Sequence, residues 1–146
     1  MSLLGNAVAQ FAQNRLGQKE GNGECWTLAE RALKGAGAQT STKIMGTIGI
    51  DDDYVWGDPV TLATLERGDI IQFRNYSFTA SDGSGEDRPH HTAIAATAAT
   101  GGAVQVYEQN VGKVHPKKVK RNTLYFDPNA AGVTVTGTVW FYRPRP

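Results

Sequence analysis

The sequence predicts an α+β fold in which N-terminal helices pack against an antiparallel sheet of four to six strands. Near the N-terminus, apolar residues recur at helical spacing. From residue 70 onward, short apolar or alternating runs are separated by turn residues, which is typical of antiparallel strands. The length of 146 residues suits one domain. We therefore expect a single domain over residues 1–146, with a helix and turn over 1–20 and the main body over 21–146.

Two helices are predicted near the N-terminus. Apolar residues at helical spacing over 3–16 indicate the first helix, and Gly17 is suited to end it. The second helix begins at or beside Cys25, because Leu28, Ala32 and Leu33 continue one helical face from the cysteine. It runs to residue 34, where glycines follow. Residues 39–60 are predicted to be irregular.

The strands are predicted from alternating apolar residues and from the turns between them. Residues 70–73 form a buried strand, and residues 76–79 are candidates to extend it. Residues 80–89 form a polar loop. Residues 91–97 and 104–110 form a hairpin around a turn at 100–102. A basic strand covers 114–122, and residues 133–142 close the sheet.

The composition excludes several classes of function. The net charge is +1, so no global field favours nucleic acid. A single cysteine excludes an internal disulfide and any multi-cysteine zinc motif. No apolar run approaches the roughly 20 residues of a membrane span. The N-terminus lacks a secretory signal pattern, which predicts a cytoplasmic protein or one exported by a leaderless route. We expect a monomer without a cofactor or a metal.

Cys25 is the candidate nucleophile. It lies in the first turn of the predicted second helix, near the positive end of the helix dipole, which stabilises a thiolate over a thiol. Free cysteine is also a common core residue, so this position alone leaves a structural role open.

His91 and Glu108 are the candidate base and orienting group. Histidine is the usual base for a cysteine nucleophile. Because strand side chains alternate between faces, only one of His90 and His91 can face the helix. On the next strand, Glu108 and Asn110 share a face with two valines. Polar groups on a buried face need partners, and an imidazole can be one of them.

Four segments carry a resemblance to a known family. They are Gly23-Glu24-Cys25-Trp26, Arg67-Gly68-Asp69-Ile70-Ile71-Gln72-Phe73, His91-Thr92-Ala93-Ile94-Ala95 and Val106-Tyr107-Glu108-Gln109-Asn110. Together they resemble the CHAP branch of the NlpC/P60 superfamily of papain-like thiol hydrolases, over residues 21–144. A cysteine-proteinase-fold domain at the end of fungal myosin-tail-interacting adaptor proteins is also similar around Gly23-Glu24-Cys25.

The resemblance implies a papain-like NlpC/P60 (CHAP) fold with a catalytic core over 21–146. It implies that Cys25 attacks an amide carbonyl, that His91 is the base, that Glu108 orients the imidazole and that Asn110 supports Glu108 or the ring. The family's usual substrate is the peptide part of peptidoglycan, which an amidase or endopeptidase cleaves. The alternatives are a papain-like protease acting on proteins and a catalytically inactive domain used for binding.

Glu24, Trp26 and Trp56 are the candidate substrate contacts. The CHAP relatives usually have glutamine at the position of Glu24, and an anion beside the thiol raises its pKa unless it points away. Trp56 is either a cleft residue or a core residue. The basic cluster at 117–121, Lys117-Lys118-Val119-Lys120-Arg121, is either a charged edge strand or a contact for an anionic polymer or membrane.

Overall fold

The computed structural model describes residues 2–130 and 132–146. Three α-helices precede the main sheet: α1 (Leu3–Gln13), α2 (Cys25–Ala36) and α3 (Ser41–Met45). The strands are β1 (Asp58–Val60), β2 (Ile70–Ala80), β3 (Gly85–Ala95), β4 (Ala103–Glu108), β5 (Lys120–Tyr125) and β6 (Val133–Arg143). They form one antiparallel sheet in the order β1-β6-β2-β3-β4-β5. The α+β prediction is confirmed.

The helix termini follow from local chemistry. In α1, the Ser2 side chain accepts a hydrogen bond from the backbone N–H of Gly5 at 2.9 Å and so caps the helix. α2 begins at Cys25, as the apolar spacing predicts, and ends at Gly37, whose φ of 80° allows its N–H to reach the carbonyl oxygens of the last turn.

Several predicted boundaries were wrong. α1 ends at Gln13 rather than at residue 16. The predicted loop at 80–89 is a hairpin, because β2 continues to Ala80 and β3 already begins at Gly85. Its polar residues reflect exposure of this part of the ribbon and not the absence of strand pairing. The predicted basic strand starts only at Lys120. The segment predicted to be irregular contains α3 and β1.

The sheet separates two hydrophobic cores. On the helix side, buried residues of α1 and α2 pack against alternate strand residues such as Ile70, Ile94 and Tyr107. On the other side, the intervening strand residues form a second core: Ile71, Phe73, Ala93, Ala95, Val104, Val106 and Leu124. The predicted alternation in β4, which places both valines on one buried face, is therefore observed.

The alternation changes at the middle of the β2–β3 pair. Asn75 has a φ of 52°, a left-handed conformation. Asn75 on β2 and Pro89 on β3 lie between the pairs Arg74–His90 and Tyr76–Arg88. Beyond these two residues, side chains that would face one side of the sheet in a regular strand face the other. Phe73 and Tyr76, three residues apart, therefore both lie in the second core, with ring centroids 5.1 Å apart. In a regular strand they would face opposite sides.

β3 and β4 pair over only a short segment, and the N-terminus of α2 is held beside their unpaired ends. Only the pairs Ile94–Tyr107 and Ala95–Val106 join the two strands within the described residues. The buried side chain of Gln109, just after β4, donates to the carbonyl oxygens of Glu20 and Glu24, both at 2.9 Å. This amide fixes the turn that leads into α2 and so positions the first residue of the helix.

Candidate active site

Cys25 lies at the first position of α2 and is partly buried. The groups that act on its thiol to lower its pKa are the side chain of His91 and the backbone of Thr92 and Trp26. Burial raises the pKa of the thiol, but these groups and the positive charge on His91 outweigh burial, and the pKa lies below its ordinary value. The site therefore favours the thiolate, which is the nucleophilic form.

His91 is buried on β3 and bridges the thiol and a carboxylate. Its Nε2 lies 2.8 Å from Oε1 of Glu108. An ionised carboxylate only accepts hydrogen bonds, so Nε2 carries a proton and Nδ1 remains for Cys25. Burial alone lowers the pKa of the imidazole, but its contacts with Cys25 and Glu108 raise it to about 9. The lowered pKa of the Cys25 thiol and the raised pKa of His91 both favour a thiolate–imidazolium pair.

Glu108 ends β4 and its side chain is fully buried. Burial raises the pKa of its carboxyl, but hydrogen bonds and charges from His91 and Arg88 lower it to about 2. The carboxylate is thus ionised throughout the range in which the imidazole titrates. The structure brings together three of the four residues predicted to be catalytic: Cys25, His91 and Glu108.

Two further partners of Glu108 were not identified from the sequence. Arg88 donates from Nε to Oε1 at 3.0 Å and from Nη2 to Oε2 at 2.7 Å. Asn122 on β5 donates to Oε2, also at 2.7 Å. The sequence pattern places Arg88 in the predicted polar loop, where strand alternation gives no face for its side chain. The exchange of faces at Pro89 brings Arg88 and His91 to the same carboxylate.

Asn110 and Glu24 contact each other at the rim of the site. Asn110 has a φ of 67°, and its amide donates to Oε2 of Glu24 at 2.9 Å. The other oxygen of Glu24 accepts from Nζ of Lys117 at 2.7 Å. Asn110 therefore contacts Glu24 in place of the predicted partners, Glu108 and the imidazole.

A cleft of about 590 Å³ opens above Cys25. Trp26 and Tyr54 face it, with their ring centroids 6.4 Å apart, and Ile48 and Ile50 extend the apolar wall. Glu24, His90 and Asn110 form more polar parts of the lining. The cleft thus combines a nucleophile on its floor with an apolar wall on the segment 46–54.

The wall is tethered to the sheet. Nε2 of His90 hydrogen-bonds the carbonyl oxygen of Asp52 at 2.7 Å, and Arg74 contacts Asp53 at 2.7 Å. The hydroxyl of Tyr54 donates to the carbonyl oxygen of Ile50 at 2.9 Å. These contacts order a segment whose sequence shows no regular periodicity, which is why Tyr54 was not recognised as a site residue.

Trp56 lies apart from the cleft. It is fully buried in the helix-side core, where its Nε1 donates to Oε1 of Gln72 at 2.9 Å. Trp26 does face the cleft, and its Nε1 donates to Ser41 at 3.1 Å. The aromatic residues that reach the cleft are therefore Trp26 and Tyr54, and the structural alternative considered for Trp56 is observed.

The basic cluster at 117–121 makes internal contacts. Lys117 pairs with Glu24, Lys120 donates to the carbonyl oxygens of Val111 and Val114, and Arg121 contacts Gln105. In the part of the chain that the structure describes, no cluster of three or more histidine, cysteine or acidic side chains could hold a metal ion. Nor is any described helix long and apolar enough to cross a membrane.

Comparison with solved structures gives the same architecture. The crystal structure of Ly7917 superposes with a TM-score of 0.57 at 22% identity, covering 96% of this chain and 62% of that one. The crystal structure of Ly7917 with the hydrolyzing product of MDP gives a TM-score of 0.56, again at 22% identity, covering 96% and 63%. At this level of identity the likeness concerns the fold.

Sequence comparison identifies the family. The chain is 33% identical to Altered inheritance of mitochondria protein 3 of Debaryomyces hansenii, over 98% of this chain and 16% of that protein. It thus spans about a sixth of the relative's length. Residues 2–146 match the AIM3/BBC1 Cysteine proteinase-fold domain. The broader expectation of a cysteine-proteinase fold agrees with this match, and the chain belongs to the AIM3/BBC1 cysteine proteinase-fold family.

Proposed function

We propose that this domain is a cysteine hydrolase that cleaves amide bonds in peptides. One observation carries the proposal: Cys25 lines an open cleft and interacts with His91, whose buried imidazole is hydrogen-bonded to the buried carboxylate of Glu108. A cysteine that merely fills the core has no need of a buried base or of an ionised carboxylate behind that base.

The proposed mechanism begins with the thiolate–imidazolium pair. The Cys25 thiolate attacks the amide carbonyl carbon, and the carbonyl oxygen takes up the negative charge. The backbone N–H of Cys25, at the start of α2, has no partner within the helix and can donate to this oxyanion. His91 then gives the proton on Nδ1 to the departing amine as the C–N bond breaks. Water hydrolyses the resulting thioester, with His91 as the base.

The cleft wall indicates the kind of peptide. Trp26, Tyr54 and Ile50 offer an apolar surface next to the thiol, which suits an apolar side chain beside the cleaved bond. Both substrate classes considered from the sequence, the peptide of peptidoglycan and a protein, contain amide bonds. The named relative, Altered inheritance of mitochondria protein 3, is not a peptidoglycan hydrolase by name, and we favour protein substrates.

The proposal is tested by incubating the wild type and Cys25→Ala with a protein digest library and, separately, with peptidoglycan. New amino groups are then quantified, and the cleaved peptides are sequenced. We expect release from the peptide library by the wild type only, with apolar residues enriched beside the cleaved bond. Release from peptidoglycan alone would establish the wall substrate. If neither substrate yields more amino groups with the wild type than with Cys25→Ala, the proposed hydrolase function is refuted.

A further inference from the structure

From the geometry around Glu108 we infer that Arg88 is a positioning residue of the catalytic chain. It keeps the buried carboxylate ionised and oriented in both protonation states of His91. The inference rests on the proposed function for its role in turnover. The ionic arrangement itself can be tested on the thiol without any substrate.

The main contacts of Arg88 are with the carboxylate of Glu108. Its side chain is 5% exposed, and the side chain of Glu108 is 0% exposed. Two parallel N–H donors bind the two carboxylate oxygens, which is the bidentate geometry that only a guanidinium provides. Its remaining contacts are to the carbonyl oxygen of Asp87, at 2.9 Å, and to the half-exposed Glu86, at 3.3 Å.

The result is a row of four groups with alternating charge. Cys25 is the thiolate, His91 the imidazolium, Glu108 the carboxylate and Arg88 the guanidinium, so the row is neutral as a whole. Without the guanidinium, two anions would share a single cation in a buried site. A buried charge without a partner is costly, and such a site relieves the cost by taking up a proton.

Arg88 matters most when His91 gives up its proton. During proton transfer to the departing amine, the imidazole becomes neutral and the carboxylate loses its nearest cation. Bound to Arg88 and Asn122, Glu108 still has three donated hydrogen bonds and a counter-charge. The proton therefore passes from Nδ1 of His91 to the amine nitrogen, while Glu108 keeps the hydrogen bond to Nε2 and does not become protonated.

Other titratable groups around the row are few. Tyr54 lies near Cys25, and Tyr76 lies near Arg88 and Glu108, with its hydroxyl donating to the carbonyl oxygen of Tyr125. The pKa values of both tyrosines are raised, so both stay neutral across the range tested below. Glu86 reaches Arg88 from the solvent side.

The test measures the rate of Cys25 alkylation by iodoacetamide from pH 4 to pH 9 in the full chain. Arg88→Gln should move the acidic limb of the rate profile to higher pH by about one unit or more. Loss of an adjacent opposite charge raises a carboxyl pKa by about one to three units, and a protonated Glu108 no longer supports the imidazolium that stabilises the thiolate. Arg88→Lys keeps a charge but loses the bidentate geometry, so its acidic limb should lie between those of the wild type and Arg88→Gln. Arg121→Gln, which alters an exposed arginine of β5, should leave the limb unchanged.

A double variant separates this role from general packing. In a Glu108→Gln background, Arg88→Gln should no longer move the limb, because the proposed action passes through the carboxylate. If the limb stays in place in folded Arg88→Gln, or moves equally in both backgrounds, the inference is overturned. If Arg88→Gln does not fold, Arg88→Lys decides, because an acidic limb that stays at the wild-type position would show that the guanidinium geometry does not matter and would overturn the inference. Peptide hydrolysis is measured separately. Its absence would refute the proposed function but would leave the inferred role of Arg88 in the charge state of Glu108 standing.

Discussion

At the scale of single residues, Glu24 places a carboxylate directly before the nucleophile, and its effect depends on its partners. One oxygen accepts from Lys117 and the other from Asn110. The negative charge is therefore balanced at the rim of the cleft, and it does not act on the thiol as an isolated anion.

This pairing predicts different results for two substitutions. Each substitution leaves one charge of the pair without its partner. Glu24→Gln should therefore lower the pH midpoint of Cys25 alkylation and Lys117→Gln should raise it, each by about half a unit at most, as fits a half-exposed pair. Lys118→Gln, in which the adjacent exposed lysine is changed, is the matched control. An unchanged midpoint in both variants would mean that neither charge of the pair reaches the thiol.

The second residue-scale prediction concerns His91. In His91→Ala the hydrogen bond and the charge that lower the Cys25 pKa are lost, while burial, which raises it, remains. Alkylation at pH 6.5 should slow by at least about tenfold, the factor that corresponds to one pKa unit. Rates are measured by mass spectrometry of the modified chain. His115→Ala, in an exposed loop, should react like the wild type, and equal rates in all three proteins would contradict the proposed pair.

The residues that could be predicted are those whose signals are local. Cys25 follows a glycine turn into a helix, and the faces of His91 and Glu108 follow from strand alternation. Arg88 depends on the exchange of faces at Asn75 and Pro89, which alternation cannot anticipate. Tyr54 depends on tertiary tethers to a segment with no periodicity of its own.

At the scale of elements, α1 docks against the turn that leads into β2. A Cβ on Gly68 would lie 1.8 Å from the carbonyl oxygen of Gly5, and the φ of Gly68 is 94°. The N–H of Gly68 also donates to the carbonyl oxygen of Ala95 at 2.8 Å. One glycine thus allows a helix, a turn and a strand end to approach at the distance of backbone contact.

This close approach predicts a large cost for Gly68→Ala. The free energy of unfolding should fall by about 3 kcal/mol or more, because positive-φ strain is added to a clash with backbone. Gly83→Ala is the matched control: its φ is 87°, but nothing lies within 4 Å of the added Cβ. That variant should lose only about 1 kcal/mol from strain. Urea unfolding of both variants gives the comparison, and equal losses would show that α1 moves away readily.

The elements themselves were predictable where periodicity is strong. α2 and β6 follow directly from apolar spacing and alternation. The β3 half of the hairpin tip was missed because Glu86, Asp87 and Arg88 are all polar, so the strand leaves no hydrophobic pattern there. The partial separation of β3 from β4, which makes room for the thiol, has no local signal at all.

At the scale of the whole molecule, the site ties stability to pH. The folded-state pKa of Glu108 is about 2, below its ordinary value of 4.5. A depressed carboxyl pKa contributes stability above pH 4.5, and that contribution is lost as the pH falls toward 2. The acid sensitivity of the fold should therefore be traceable in part to this one buried carboxylate.

Glu108→Gln tests this link. At pH 6 it should reduce the free energy of unfolding by about 3–5 kcal/mol, because Arg88 loses its buried partner. Between pH 4.5 and pH 3 the variant should lose less stability than the wild type does. Glu86→Gln removes the half-exposed carboxylate of the same arginine and should cost less than about 1 kcal/mol. Denaturant unfolding across this pH range provides the data, and parallel curves for Glu108→Gln and the wild type would refute the link.

The neighbouring histidines of β3 have a consequence for how this protein can diverge. His90 holds the wall of the cleft through Asp52, while His91 holds the reacting groups. In the proposed hydrolase, substrate recognition and the reaction would therefore depend on the same short segment, since consecutive residues of β3 anchor both. An insertion or deletion between Pro89 and Thr92 would disturb both at once. New specificities in this lineage are expected to arise by substitution along the segment 46–50, beyond the tether, where Ile50 is 96% exposed.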